Sequence, residues 1–74
     1  MLKPTKISTV RAYLTVLGLQ MESSANGFEV WEGQGKSVLI CVSETIMPVF
    51  PIQTMLSELN ESSEAFVRIT AVIK

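Results

Sequence analysis

Seventy-four residues make one domain at most, residues 1–74, and so short a chain buries too little surface to be more than marginally stable alone. One cysteine and no histidine exclude an internal disulfide and remove both the commonest metal ligand and the usual neutral-pH base. A formal net charge of −1 gives no general attraction to phosphate backbones, and 47% hydrophobic against 18% charged residues argues against disorder.

Taken in chain order, the first element is an amphipathic helix. Ile7, Val10, Leu14 and Leu17 recur at helical spacing, and Tyr13 and Val16 widen the stripe. Thr5 or Ser8 offers an N-cap, and Gly18 just past Leu17 is a left-handed stop on which Leu19 folds back. Val10, Ala12, Leu14 and Val16 also alternate like a strand, but the glycine stop and the longer stripe favour the helix. Residues 19–22, "LQME", then begin a strand, and "SSANG" is a turn whose Asn26-Gly27 supplies positive φ. "FEVWE" is a second strand, with Phe28 and Val30 on one face and Glu29 and Trp31 on the other. "GQGK" is the next turn, and "SVLICVS" is a β-branched third strand.

Pro48 and Pro51 break the pattern, and Pro51 suits the first turn of a second helix. Ile52, Met55, Leu56 and Leu59 form its apolar stripe, and Asn60 stops it. After the polar link "ESSE", "AFVRITAVI" reads as a fourth strand with Ala65, Val67, Ile69, Ala71 and Ile73 on one face. The expected fold is therefore α+β. It is a two-layer sandwich of order α-β-β-β-α-β, with an antiparallel four-stranded sheet and two helices.

"GQGKS" has the ending of a phosphate-binding loop, but that signature needs glycine where Val30 stands and a helix where "VLICV" follows. It reads as a hairpin turn. Cys41 lacks a base or cationic neighbour to make a thiolate, so it reads as an inert, buried core cysteine. Glu29 and Glu32 have opposite strand parity and do not pair, and the glutamates are too scattered for a calcium or magnesium loop. These residues point to no enzyme, no cofactor and no metal. Lys3, Lys6 and Arg11 make a basic start to the chain. Without interleaved aromatics it reads as a solvated helix face, and nucleic-acid binding by an antitoxin-like regulator is the alternative. No apolar run spans a bilayer, and Arg11, Gln20 and Glu22 interrupt any signal peptide around "AYLTVLGL". With a lone cysteine, the expected compartment is the reducing cytoplasm. The Asn60-Glu61-Ser62 glycosylation sequon matters only on secretion.

A partner is expected for a different reason. Val38, Ile40 and Val42 point one way from the third strand, while Leu39 and Cys41 point the other, so both faces are apolar. Phe66 and Val72 oppose the main face of the last strand in the same way. Two helices, each about 10 Å wide, cover only one face of a four-stranded sheet. The candidate interaction residues are Trp31, Leu39, Cys41, Phe66 and Val72. Trp31 is equally an ordinary core tryptophan or a partner-facing anchor. The expected partner is a second copy, giving a dimer, or a protein client bound through the sheet face or the edge of the last strand. The alternative is that the "MPVFP" loop folds over the second face.

"TVRAYLTVLGLQ", "GFEVWEGQGKSVLICV" and "MLSELNESSEAFVRIT" together resemble the small acidic type III secretion chaperones and the related YbjN-type proteins. The resemblance covers nearly the whole chain and implies a non-enzymatic, dimeric protein that binds another polypeptide. The further strands and terminal helix of those proteins have no counterpart here. "PVFPIQTMLSEL" also resembles the proline-then-helix ending of HicA-type RNA-binding toxins. Their nuclease activity depends on a histidine that this chain lacks, so that resemblance implies no active nuclease.

Overall fold

The computed structural model describes residues 1–73. The elements are β1 (Thr5–Lys6), α1 (Ile7–Val16), β2 (Gln20–Ala25), β3 (Phe28–Gly33), β4 (Lys36–Cys41), β5 (Ile46–Met47), α2 (Val49–Leu59) and α3 (Ser63–Ala71). The fold is α+β, as expected, but the sheet has three strands rather than four, in the order β2-β3-β4, all antiparallel. A separate antiparallel ribbon pairs β1 with β5.

Two tight turns set the register of the main sheet. Asn26 and Gly27 have φ of 56° and 80°, and Gln34 and Gly35 have 53° and 74°. Both central residues in the left-handed region make the two-residue turn whose twist matches that of paired strands. "GQGKS" is thus the β3–β4 hairpin. Residues 23–25, expected in a turn, continue β2 instead: Ser23, Ser24 and Ala25 pair with Val30, Glu29 and Phe28. The pairing shifts between Met21 and Ser23, a bulge that leaves Glu22 out of the ladder.

α1 ends as its sequence indicates. Gly18 has φ of 91°, its N–H donates to Thr15 O, and the Leu19 N–H donates to Leu14 O at 3.0 Å. This is a Schellman stop with its hydrophobic contact, because Leu14 and Leu19 both belong to the core. The next backbone approach is closer still. A Cβ on Gly33 would collide with the carbonyl oxygen of Gly18 and sit 2.8 Å from Leu19 Cα, so only glycine lets β3 end against this loop. At its start α1 has no side-chain cap from Thr5 or Ser8. The β1–β5 ribbon holds it instead, with the Ile7 N–H donating to Thr45 O at 2.9 Å.

The fourth strand of the sequence reading is a helix, α3. Ser62 caps it by accepting the Ala65 N–H at 3.1 Å, and Glu64 sits in its first turn where the helix dipole favours an acid. Its inward side carries Phe66, Val67 and Ile69, a helical spacing hidden beneath the strand-like alternation, and Ile73 just past its end also packs on the core. Packing decides between the two, because Phe66 docks edge-on against Tyr13 with ring centroids 4.7 Å apart.

One core joins the layers. Val10, Tyr13 and Leu14 of α1, Ile52, Met55, Leu56 and Leu59 of α2, and Phe66 of α3 close over Trp31, Val38 and Ile40 of the sheet. α2 packs on β4 and α3 on α1. The Tyr13 hydroxyl is buried with no hydrogen-bond partner, and burial, with the Glu61 charge adding, pushes the phenol up to about 12. Replacing Tyr13→Phe removes an unpaired buried polar atom at nearly constant volume. Urea denaturation should show the variant more stable by about 1 kcal/mol. A loss of that size would mean that the hydroxyl has a partner.

Candidate functional site

Strand parity divides the sheet into two unlike faces. In the β3–β4 ladder, Trp31 lies across from Val38 and Glu29 from Ile40, and these four side chains are buried beneath the helices. Val30 lies across from Leu39 and Phe28 from Cys41, and this set faces away from the helices. Phe28 is 44% exposed and Leu39 57%, Cys41 is exposed, and Val30 is partly buried. Serines flank the patch, with Ser23 across from Val30 on β2 and Ser37 before Val38 on β4. The row leaves the outer side of β3 and β4 without a covering layer.

Of the five candidate residues, the structure brings only Leu39 and Cys41 together on this face. Trp31 is a core residue, 7% exposed, because the two-residue hairpin turn puts it in register with Val38 rather than Leu39. Phe66 is also core, 2% exposed, because its segment is helical and turns it toward Tyr13. Val72 is exposed at the C-cap of α3, away from the sheet. With no strand at 65–73 there is no last-strand edge to offer. Phe28 and Val30 are the members of the face that the sequence reading placed on the core side. The loop at "MPVFP" leaves the face open: Met47 is buried in the core, and Phe50 is itself exposed in the first turn of α2.

Cys41 is exposed rather than buried, because it shares odd parity with Leu39. Its Sγ is 3.1 Å from Ser43 Oγ. The hydrogen bonds with Ser43 lower the thiol below its ordinary value, against smaller opposing effects of desolvation and the Glu44 charge.

Beneath the sheet, one polar network fixes its angle to α1. Glu29 is buried in the core face and accepts three hydrogen bonds. Arg11 Nε donates to Oε1 at 3.1 Å, Arg11 Nη2 to Oε2 at 2.7 Å, and Trp31 Nε1 to Oε1 at 3.0 Å. The Arg11 bonds above all, with the Trp31 bond adding, hold the Glu29 carboxyl below its usual range against the opposing effect of burial. A bidentate guanidinium–carboxylate pair of this kind is directional as well as strong. The network pairs the Arg11 charge with Glu29, although Arg11 still lines a cleft of about 360 Å³ together with Lys6 and Glu44. Lys3 and Lys6 line a larger cleft, of about 420 Å³, beside Thr9 of α1 and Phe66, Val67 and Thr70 of α3. A second pair, Lys36 to Glu61 at 3.2 Å, ties the β3–β4 turn to the α2–α3 link.

Among the described residues no group of three or more His, Cys, Asp or Glu side chains is placed to hold a metal ion, and no helix is long and apolar enough to cross a membrane. No family model matches the chain, and neither a curated protein nor a solved structure matches it.

Proposed function

We propose that the chain is a non-enzymatic, chaperone-like protein-interaction module whose outer sheet face is closed by another polypeptide, a second copy or a client. One observation carries the reading. Strands β3 and β4 are dry on their helical side, at Glu29, Trp31, Val38 and Ile40, and open on the other, where Phe28, Val30, Leu39 and Cys41 form a contiguous apolar row. Covering on the order of 300 Å² of it contributes several kcal/mol at about 25 cal/mol per Å², before the costs of association. The resemblance to acidic secretion chaperones points the same way, and the reading places the module in the cytoplasm.

The competing reading is a nucleic-acid-binding regulator acting through Lys3, Lys6 and Arg11. Because Glu29 neutralises Arg11, that reading rests on two lysines. Sedimentation from micromolar to millimolar concentration, with affinity capture from the native host, tests the proposal. The expected result is self-association or capture of a partner through the face, lost in Leu39→Ser while the far-UV spectrum is unchanged. A monomer at every concentration with no captured partner contradicts it. Salt-sensitive retention of DNA or RNA would favour the competing reading.

A further inference from the structure

Two clefts flank the start of α1, and their charges differ. The smaller, about 360 Å³, mixes Lys6 and Arg11 with Glu44. The larger, about 420 Å³, lies between the segment that leads into α1 and the side of α3, and no acid lines it. Its charged side chains are Lys3 and Lys6, both exposed. Among the described residues the ion pairs are Arg11 with Glu29 and Lys36 with Glu61, so neither lysine of the larger cleft is paired. The wall opposite them is one side of α3, where Phe66, Val67, Thr70 and Ala71 stand at helical spacing. Phe66 is core and adds little open area, while Val67 is partly buried and Ala71 exposed. Two of the three threonine hydroxyls are already committed. Thr70 Oγ1 donates to Phe66 O at 2.8 Å, and Thr5 Oγ1 donates to Lys3 O at 2.9 Å. The two ammonium groups and the Thr9 hydroxyl are left to meet a polar head.

Two unpaired cations beside an aliphatic wall complement an anion that carries an apolar tail. We propose that this cleft binds a small amphiphilic anion, a carboxylate or phosphate head between Lys3 and Lys6 with an aliphatic tail along Val67 and Ala71 of α3. Small-molecule sites run from about 300 to 1,000 Å³, so the cleft is at the small end and suits a tail of about eight carbons. A nucleic-acid backbone offers the charge but no tail to cover the α3 wall. The neighbouring cleft is the poorer site, because Glu44 opposes an anionic head there. The larger cleft is on the helical side of the molecule, so this site is separate from the outer sheet face and stands without the polypeptide reading of that face.

Titration of the isotope-labelled full chain, followed by amide chemical shifts at neutral pH and low salt, tests this. The probes are octanoate, octyl phosphate, octylammonium and acetate. Octanoate and octyl phosphate should saturate with a Kd of about 1 mM or tighter, moving the amides of Lys6, Thr9, Val67, Thr70 and Ala71 and leaving those of Phe28 and Leu39 in place. Octylammonium, with the same tail and the opposite charge, should bind at least about tenfold more weakly. Acetate should not saturate, because an exposed ion pair alone is worth little. Lys3→Gln with Lys6→Gln should weaken both tailed anions about three- to tenfold. Ala71→Glu, which puts an acid on the exposed wall, should weaken octanoate and strengthen octylammonium. Arg68→Gln, on α3 but outside the lining, should change neither.

Equal binding of octanoate and octylammonium would overturn the proposal by reducing the cleft to apolar surface. Acetate saturating as tightly as octanoate would overturn it by showing a site for the head alone. Shifts confined to Phe28, Val30 and Leu39 would also overturn it, by placing the tail on the outer sheet face. A folded chain whose amides respond to neither tailed anion would do the same, and would leave the outer face untouched as a polypeptide site.

Discussion

Phe66→Ala should lower the unfolding free energy by about 3–5 kcal/mol, the usual cost of emptying a buried aromatic site. Phe66 is fully enclosed, edge-on to Tyr13, and the contact attaches α3 to α1. A domain of this size holds no more than the low end of roughly 5–15 kcal/mol, so the variant should be partly unfolded at room temperature. In urea the midpoint should fall with little change in slope. The experiment also decides between two accounts of residues 63–71. In a strand with Ala65, Val67 and Ile69 inward, Phe66 would face solvent and its loss would cost within about 0.5 kcal/mol. A change that small would contradict the helix.

Glu29→Gln should cost about 2 kcal/mol at neutral pH. Hydrogen bonds to a charged group contribute about 1.5–3 kcal/mol each in buried settings. The Arg11 side chain is 44% exposed, so solvent screens its share and the expected total stays near the low end. The amide keeps one acceptor for Trp31 Nε1 but turns donors toward Arg11 or loses that bond altogether. The pH dependence has a definite sign. The folded carboxyl is held below its ordinary value, chiefly by Arg11, so it binds its proton less readily than in the unfolded chain. Its contribution is therefore fully present above the unfolded value of about 4.3 and is lost as pH falls through the lower folded value. The gap between wild type and Glu29→Gln should be widest near neutrality and shrink below about pH 4. A gap that stays constant into strong acid would show that the cost is steric, not electrostatic.

Local chemistry made much of this fold legible. Gly18 and Asn60 stop helices where stops were expected, Gly18 as the left-handed residue anticipated, with φ of 91° and 58°. Asn26-Gly27 turns as its composition demands. The stripe Ile52, Met55, Leu56, Leu59 is the buried side of α2. Residues 65–73 were misread because one segment satisfies both periods: Ala65, Val67, Ile69, Ala71 and Ile73 alternate, while Phe66, Ile69 and Ile73 follow a helix. The Ser62 cap and the packing of Phe66 settle it, and only the cap is visible without tertiary structure. β1 and β5 have two residues each, too few to carry a pattern.

The two faces of the sheet were half legible. Leu39 and Cys41 were expected to oppose Val38 and Ile40, and they do. Grouping Trp31 with Leu39 was the error, and a signal against it existed. A two-residue loop at Gln34-Gly35 forces Gly33 across from Lys36, and counting back puts Trp31 across from Val38 and Val30 across from Leu39. The same count moves Phe28 and Val30 outward and Cys41 into solvent. The Glu29 network had no sequence signal, because Arg11 and Glu29 meet only when α1 folds over β3.

The proposed interaction requires an outer sheet face that is open in the lone subunit and shut when a companion chain sits on it. The alkylation rate of Cys41 by iodoacetamide, measured on dilute protein and again with a saturating occupant, tests this most directly. The dilute protein should react within about tenfold of an unstructured peptide thiol, and the occupied protein should react at least about tenfold more slowly than that. A dilute, folded subunit whose thiol resists reagent as a core cysteine does, or a rate indifferent to the occupant, would contradict it.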